Sequence, residues 1–118
     1  MMHYLLMLKS DEHPELGPPP AELMAAIAEH GAAMAQAGVL ISTAGLAPAP
    51  MGRRLRLEDG RTTPVPAREQ IDAYALIKAV GDDEAADLAG QFLALHAKHW
   101  PGWQGEAEVR ALFGAEGA

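Results

Sequence analysis

Apolar and polar positions recur along the chain with two different periods, which predict both helices and strands. The segment HYLLML, from position 3, carries large apolar side chains at nearly every position, as in a strand buried on both faces. Over residues 21–37 the apolar positions recur at steps of three and four, which is typical of an amphipathic helix, and Gly38 follows as its expected end. A second helix is predicted to begin at the acidic residues 82–84, because carboxylates favour the positive end of a helix.

Turn residues divide the rest of the chain into strands. Asp59-Gly60 is a strong hairpin signal, and prolines separate the hairpin from its neighbours. We therefore predict, in chain order, a strand at 2–8, a helix at 21–37, a strand at 39–45, hairpin strands at 54–58 and 61–63, a strand at 72–80, a helix from 82, and a last strand at 108–113. The small residues 114–118 are expected to form a frayed tail.

This order of elements predicts an α+β fold with a ferredoxin-like antiparallel sheet and two helices on one face. Strand alternation places Tyr4 and Leu6 on one side of the first strand, and Leu5 and Met7 on the other. The face without helices is therefore apolar as well. A second copy of the chain is the simplest cover for it, since a two-fold interface reuses the same surface, and we expect a homodimer.

Composition narrows the class of protein. The 118 residues fit one domain, 1–118, and the net charge of -7, from 16 acidic residues against 9 Lys and Arg, disfavours nucleic-acid binding. The absence of cysteine excludes disulfides and thiolate metal sites and fits a cytoplasmic protein. The apolar run at the start is too short for a signal peptide or a membrane span, so we expect no membrane association.

Two histidines stand at the end of the second predicted helix. The apolar face that contains Phe92 and Leu95 continues, in steps of four, to His96 and His99, which places both rings near the buried side. We favour the interpretation that they complement the negative end of the helix. Proton transfer by His96 and His99 as catalytic residues is the second interpretation. A shared metal is the least favoured, since His-x-x-His alone is a weak motif, and no cofactor is expected.

A ligand-binding corner is a further hypothesis. We expect the end of the second helix to lie near the start of the first strand, which would bring His3 to His96 and His99, with Trp100 and Trp103 closing the corner.

Three other polar residues are candidates for contact with a ligand. His30 lies beside the apolar stripe of the first helix, where an imidazole is more often a satisfied, half-buried residue than a functional one. Tyr74 and Asp72 open a central strand and either pack there or orient a ligand. The candidate ligand-binding residues are thus His3, His30, Tyr74 and Trp100.

Four stretches of the sequence, AAMAQAGVLISTAGLAPAP, GRRLRLEDGR, AREQIDAYALIKAVGDDEAADLAGQFL and GEAEVRALFGAE, resemble the YCII-related proteins of the DGPF type. The resemblance extends over nearly the whole chain and implies a ferredoxin-like subunit that pairs into a dimeric α/β barrel. The Asp-Gly-Pro-Phe segment that gives the type its name is absent, and a shorter TTPVPAREQ stands in its place. The family has no settled reaction.

Two functions remain open from the sequence. The first is a homodimer that binds a small aromatic or carbonyl-bearing molecule in a cleft between sheet and helices, with histidine acid/base chemistry. The alternative is a non-catalytic ligand-binding or regulatory accessory module.

Overall fold

The computed structural model describes residues 1–12 and 14–114. Of the predicted tail, residues 115–118 lie outside the described residues. The helices and strands of the described part are β1 (Met2–Ser10), α1 (Ala21–Gln36), β2 (Leu40–Gly45), β3 (Arg54–Glu58), β4 (Arg61–Val65), β5 (Ala73–Ala79), α2 (Asp82–His99) and β6 (Gly105–Ala111). Neither helix in this part of the chain has the length and apolar character needed to cross a lipid bilayer.

Four strands form one open sheet in the order β2-β5-β1-β6, and every neighbouring pair is antiparallel. Both helices pack on the same face, because Met34 of α1 and Leu88 of α2 contact the same buried cluster around Tyr4 and Ile77. The predicted α+β class is confirmed, and the strand order is compatible with the ferredoxin-like plan.

The core lies between the helices and the sheet. Tyr4 and Leu6 point into it, whereas Leu5 and Met7 lie half-buried on the opposite face, as the alternation predicts. The hydroxyl of Tyr4 donates a hydrogen bond of 2.8 Å to Oδ1 of Asp82, which fixes the first turn of α2 to the sheet.

The edge strand β2 contains one extra residue. Leu40 pairs with Ile77 and Ser42 pairs with the adjacent Leu76, so Ile41 has no partner in the ladder and is 44% exposed. This is a β-bulge. Because of it, Leu40 and Thr43 both face the helices although they are three positions apart.

The strands β3 and β4 form a separate two-stranded hairpin, as predicted. Its turn has positive φ at both Asp59 (51°) and Gly60 (74°), which is the backbone that an Asp-Gly turn favours. β4 continues through Pro64 to Val65, two residues beyond the prediction, because a proline is tolerated on the free side of an edge strand.

The direction of α2 corrects one expectation. β5 ends beside the start of β1, where Ala79 pairs with Met2, and α2 begins there and runs back along the sheet. The segment that follows α2 therefore meets the other end of β1, where Gly105 pairs with Ser10. The expectation that α2 ends near the start of β1 is wrong.

Candidate functional site

A cavity of about 480 Å³ opens between the two helices and the end of the sheet where α2 stops; we call it the main cavity. Its volume lies within the range of ligand pockets, ~300–1,000 Å³. Most of its lining is apolar. The apolar side chains come from both helices and the central strands, among them Leu8, Leu23, Met24, Ile27 and Phe92.

A chain of hydrogen bonds forms the polar part of the lining. The indole Nε1–H of Trp103 donates to Oγ of Ser10 at 3.1 Å, and the hydroxyl of Ser10 donates in turn to Oδ2 of Asp72. The backbone N–H of Ser10 donates to the same oxygen at 2.8 Å, and Nε2 of Gln70 donates to Oδ1 at 2.8 Å. Asp72 is thus held in place by three donors, and the hydroxyl of Ser10 serves as a link rather than as a free nucleophile.

A glycine allows Trp103 to form the wall of the main cavity. A Cβ atom added at Gly105 would lie 2.5 Å from Cζ2 of Trp103 and 2.5 Å from the carbonyl oxygen of Lys9. Both separations are far below ordinary van der Waals contact. The indole ring therefore lies directly over the backbone at the start of β6, in space that any other residue would occupy.

His96 is the titratable side chain that is most enclosed in this wall, being 3% exposed. Its ring lies between Phe92 and Trp103, with centroid separations of 5.3 Å and 4.4 Å. Nδ1 is 3.0 Å from the carbonyl oxygen of Phe92. A neutral imidazole in this position carries its proton on Nδ1 and donates to that carbonyl, which leaves Nε2 as a hydrogen-bond acceptor or a base.

His99 has a different environment. Its Nδ1 is 2.6 Å from Oε1 of Glu22, so it ties the end of α2 to the first turn of α1 beside the main cavity. The two histidines therefore do not act as one pair. Within the described ranges, no group of three or more His, Asp or Glu side chains is arranged to hold a metal ion.

Two of the sequence candidates lie outside the main cavity. His3 is on the face of the sheet without helices, next to Lys78, and at the end of β1 remote from Ser10. The predicted corner of His3 with His96 and His99 is wrong, because β1 points His3 away from the helices and α2 runs toward the other end of β1. Tyr74 is also on the outer face, where its hydroxyl lies 2.9 Å from Oγ of Ser42.

The other two candidates line cavities on the helix side of the sheet. Trp100 lines the main cavity. His30 lines a smaller cavity of about 50 Å³, the inner chamber, which shares Ile27, Thr43 and Phe92 with the main cavity. The functional roles of Trp100 and His30 remain predictions.

No motif or spacing in the sequence marks Ser10 as a site residue. It ends an apolar strand and is followed by a polar loop, as many strand ends are. Asp72 had a visible signal, a carboxylate directly before a central strand, but its partners come from distant segments.

No protein-family model matches this chain, and a search of curated proteins found no match. The chemistry of the site is therefore inferred from its own geometry.

Proposed function

We propose that this protein binds a small, neutral and largely apolar molecule, aromatic or carbonyl-bearing, in the main cavity. The observation that supports this most strongly is the composition of the wall. Apolar side chains line most of an open space of about 480 Å³, while His96 and the Ser10–Asp72 pair are joined through one indole, that of Trp103. An apolar body with few fixed polar groups is typical of small-molecule sites.

The charge of the wall restricts the ligand. Asp72 contributes a carboxylate, and no Lys or Arg is among the described residues that line the main cavity. An anionic ligand would therefore enter without a fixed cation to pair with, which is costly in an apolar space. Aromatic rings suit the site, because Trp100, Trp103 and Phe92 offer ring faces and edges for stacking.

The two tryptophans provide a direct test. They are the only ones in the chain and both line the main cavity, so tryptophan emission reports on this site alone. We expect naphthalene and acetophenone each to cause a saturable change in emission. Ala73→Phe should abolish it by filling the cavity, whereas Ala86→Phe, on the exposed side of α2, should not.

Circular dichroism is the control that shows whether both variants are folded. Emission that does not saturate with either compound would refute ligand binding in the main cavity. So would equal binding by Ala73→Phe and the unmodified protein.

Proton transfer by His96 is the second candidate function. It is favoured by the bond from Nδ1 to the carbonyl of Phe92, which fixes the ring and leaves Nε2 as the base. Nε2 would take a proton from the carbon beside a bound ketone, and solvent would return a proton to that carbon. Deuterium exchange into the methyl group of acetophenone measures this. We expect His96→Gln to reduce the rate at least ~100-fold. Binding without exchange supports the alternative, a non-catalytic ligand-binding or regulatory accessory module.

We also propose that the protein is a homodimer whose subunits cover each other's outer sheet face. Leu5, Met7 and Leu76 lie on that face without a helix above them. The resemblance to YCII-related proteins of the DGPF type implies the same pairing, as a dimeric α/β barrel, and membership of that family is part of this proposal. A cytoplasmic location, expected from the cysteine-free sequence, stays a prediction.

Sedimentation equilibrium tests the dimer. We expect a mass of twice the 12.5 kDa of one chain at micromolar concentration, and an interface above ~2,000 Å². Leu5→Lys should produce the single-chain mass, whereas Ala86→Lys on the exposed side of α2 should leave the mass unchanged. A single-chain mass for the unmodified protein would contradict the proposal.

A further inference from the structure

His30, which lines the inner chamber, carries an unpaired polar atom. Nε2 of His30 is shielded from solvent and has no hydrogen-bond partner, and it is the only buried side-chain nitrogen or oxygen of this kind among the described residues. The rest of the chamber is nearly all apolar, with lining such as Leu6, Ile77 and Leu88. An unpaired buried nitrogen is destabilising, so a binding partner for it is expected.

The size of the inner chamber limits what that partner is. Its volume is about 50 Å³, whereas one water molecule accounts for ~30 Å³ in the liquid. A hydroxyl group fits this space, but an aromatic ring does not.

The inner chamber is adjacent to the main cavity. Ile27, Thr43 and Phe92 line both spaces. The hydroxyl of Thr43 already donates its only proton to the carbonyl oxygen of Tyr74 at 2.8 Å, so a substituent there meets it only as an acceptor that already has a partner. A ligand in the main cavity that extends a group between these side chains approaches His30, which lines the inner chamber and whose Nε2 has no partner.

We infer that the ligand is an apolar, ring-sized molecule with a hydroxyl group at the end that enters the inner chamber, and that this hydroxyl is hydrogen-bonded to Nε2 of His30. The inference rests on the proposed function of the main cavity. A hydroxyl both donates and accepts, so it pairs with either tautomer of the imidazole. A carboxylate would enter the apolar chamber at a high desolvation cost. His30 thus determines specificity for the hydroxyl.

Para-cresol and toluene, which differ by one hydroxyl, form the test pair. Each is titrated into the full-length protein, and binding is read from tryptophan emission and by calorimetry. We expect para-cresol to bind about tenfold more tightly, which corresponds to one well-formed hydrogen bond to a previously unpaired atom. Binding of para-cresol, but not of toluene, should shift the His30 Nε2 resonance in nitrogen NMR spectra.

Variants of His30 test whether the preference for para-cresol over toluene depends on Nε2 of this residue. His30→Leu, of similar volume, should bind toluene as before but prefer it to para-cresol, because the hydroxyl then has no partner. His30→Gln keeps a polar group and should restore part of the preference. Glu29→Gln, the exposed neighbour on α1, should behave as the unmodified protein.

The outcomes separate the two proposals. If both compounds bind and the preference is unchanged in His30→Leu, or if there is no preference because a water molecule already occupies the chamber, the inference about His30 is wrong and the main cavity remains a binding site. If neither compound binds to the unmodified protein, the proposed function and the inference are both refuted.

Discussion

Gly105→Ala is the substitution whose effect the structure specifies most closely. The new methyl group would lie 2.5 Å from a backbone oxygen and 2.5 Å from the indole of Trp103, so either the backbone or the ring has to move by about 1 Å. Overpacking of this kind costs ~1–3 kcal/mol. Loss of the bond from Trp103 to Ser10 adds ~0.5–1.5 kcal/mol, and the reduced freedom of the unfolded chain offsets ~0.4–1 kcal/mol.

We therefore expect the free energy of unfolding to fall by about 0.5–4 kcal/mol. Urea denaturation followed by far-ultraviolet circular dichroism measures it, and tryptophan emission should change in the folded state. Gly90→Ala is the matched control. An added Cβ there meets no atom within 4 Å, and a helical alanine should stabilise the protein by ~0.5–1 kcal/mol. If Gly105→Ala is as stable as the unmodified protein and its emission is unchanged, the described packing of Trp103 is incorrect.

Three further substitutions test separate contacts. Ser10→Ala should cost ~1–3 kcal/mol in a thermal melt, because the indole N–H of Trp103 and one carboxylate oxygen lose a partner. The hydrogen bond from Lys9 lowers the pKa of Glu108, so the folded state favours the ionised carboxylate of this residue. The carboxylate therefore stabilises the folded protein above the ordinary carboxyl pKa, and this stabilisation is lost as pH falls through the lowered pKa. Glu108→Gln should accordingly flatten the acid side of a stability profile measured by urea denaturation between pH ~2 and ~7, and an unchanged acid side would contradict this. His99→Gln should lower the free energy of unfolding by only ~0.2–1 kcal/mol in urea denaturation, since its carboxylate partner is 74% exposed, and a much larger loss would indicate a structural role.

Periodicity predicted most of the fold. The bounds of α1 differ by one residue from the prediction, and Arg54–Glu58 matches fully, because the helical stripe and the Asp-Gly turn are local signals. The last strand was less accurate. It runs over Gly105–Ala111 rather than 108–113, since its start is set by pairing with Ser10 and Lys9 and not by its own composition.

The site was only partly predictable. The burial of His96 followed from the helical spacing, and Trp100 and Trp103 were expected beside it. The position of His3 was wrong, because the direction of a helix relative to a strand depends on the pairing of the whole sheet. The contact between Ser10 and Asp72 joins residues 62 positions apart, and the space above Gly105 depends on one ring. Neither leaves a periodic trace in the sequence.

The bulge at Ile41 also has a consequence for pairing between chains at the edge of the sheet, which is separate from the proposed dimer. β2 is an edge strand without a single charged residue, and a regular edge of that composition is a template for pairing with other chains. Removing Ile41 would leave Leu40 and Ser42 opposite their present partners and make the ladder continuous, so the domain would keep its fold while its edge became smooth. The resulting protein would be prone to grow into β-fibrils at high concentration. The extra residue at Ile41 thus interrupts the ladder of an edge strand that carries no charge of its own.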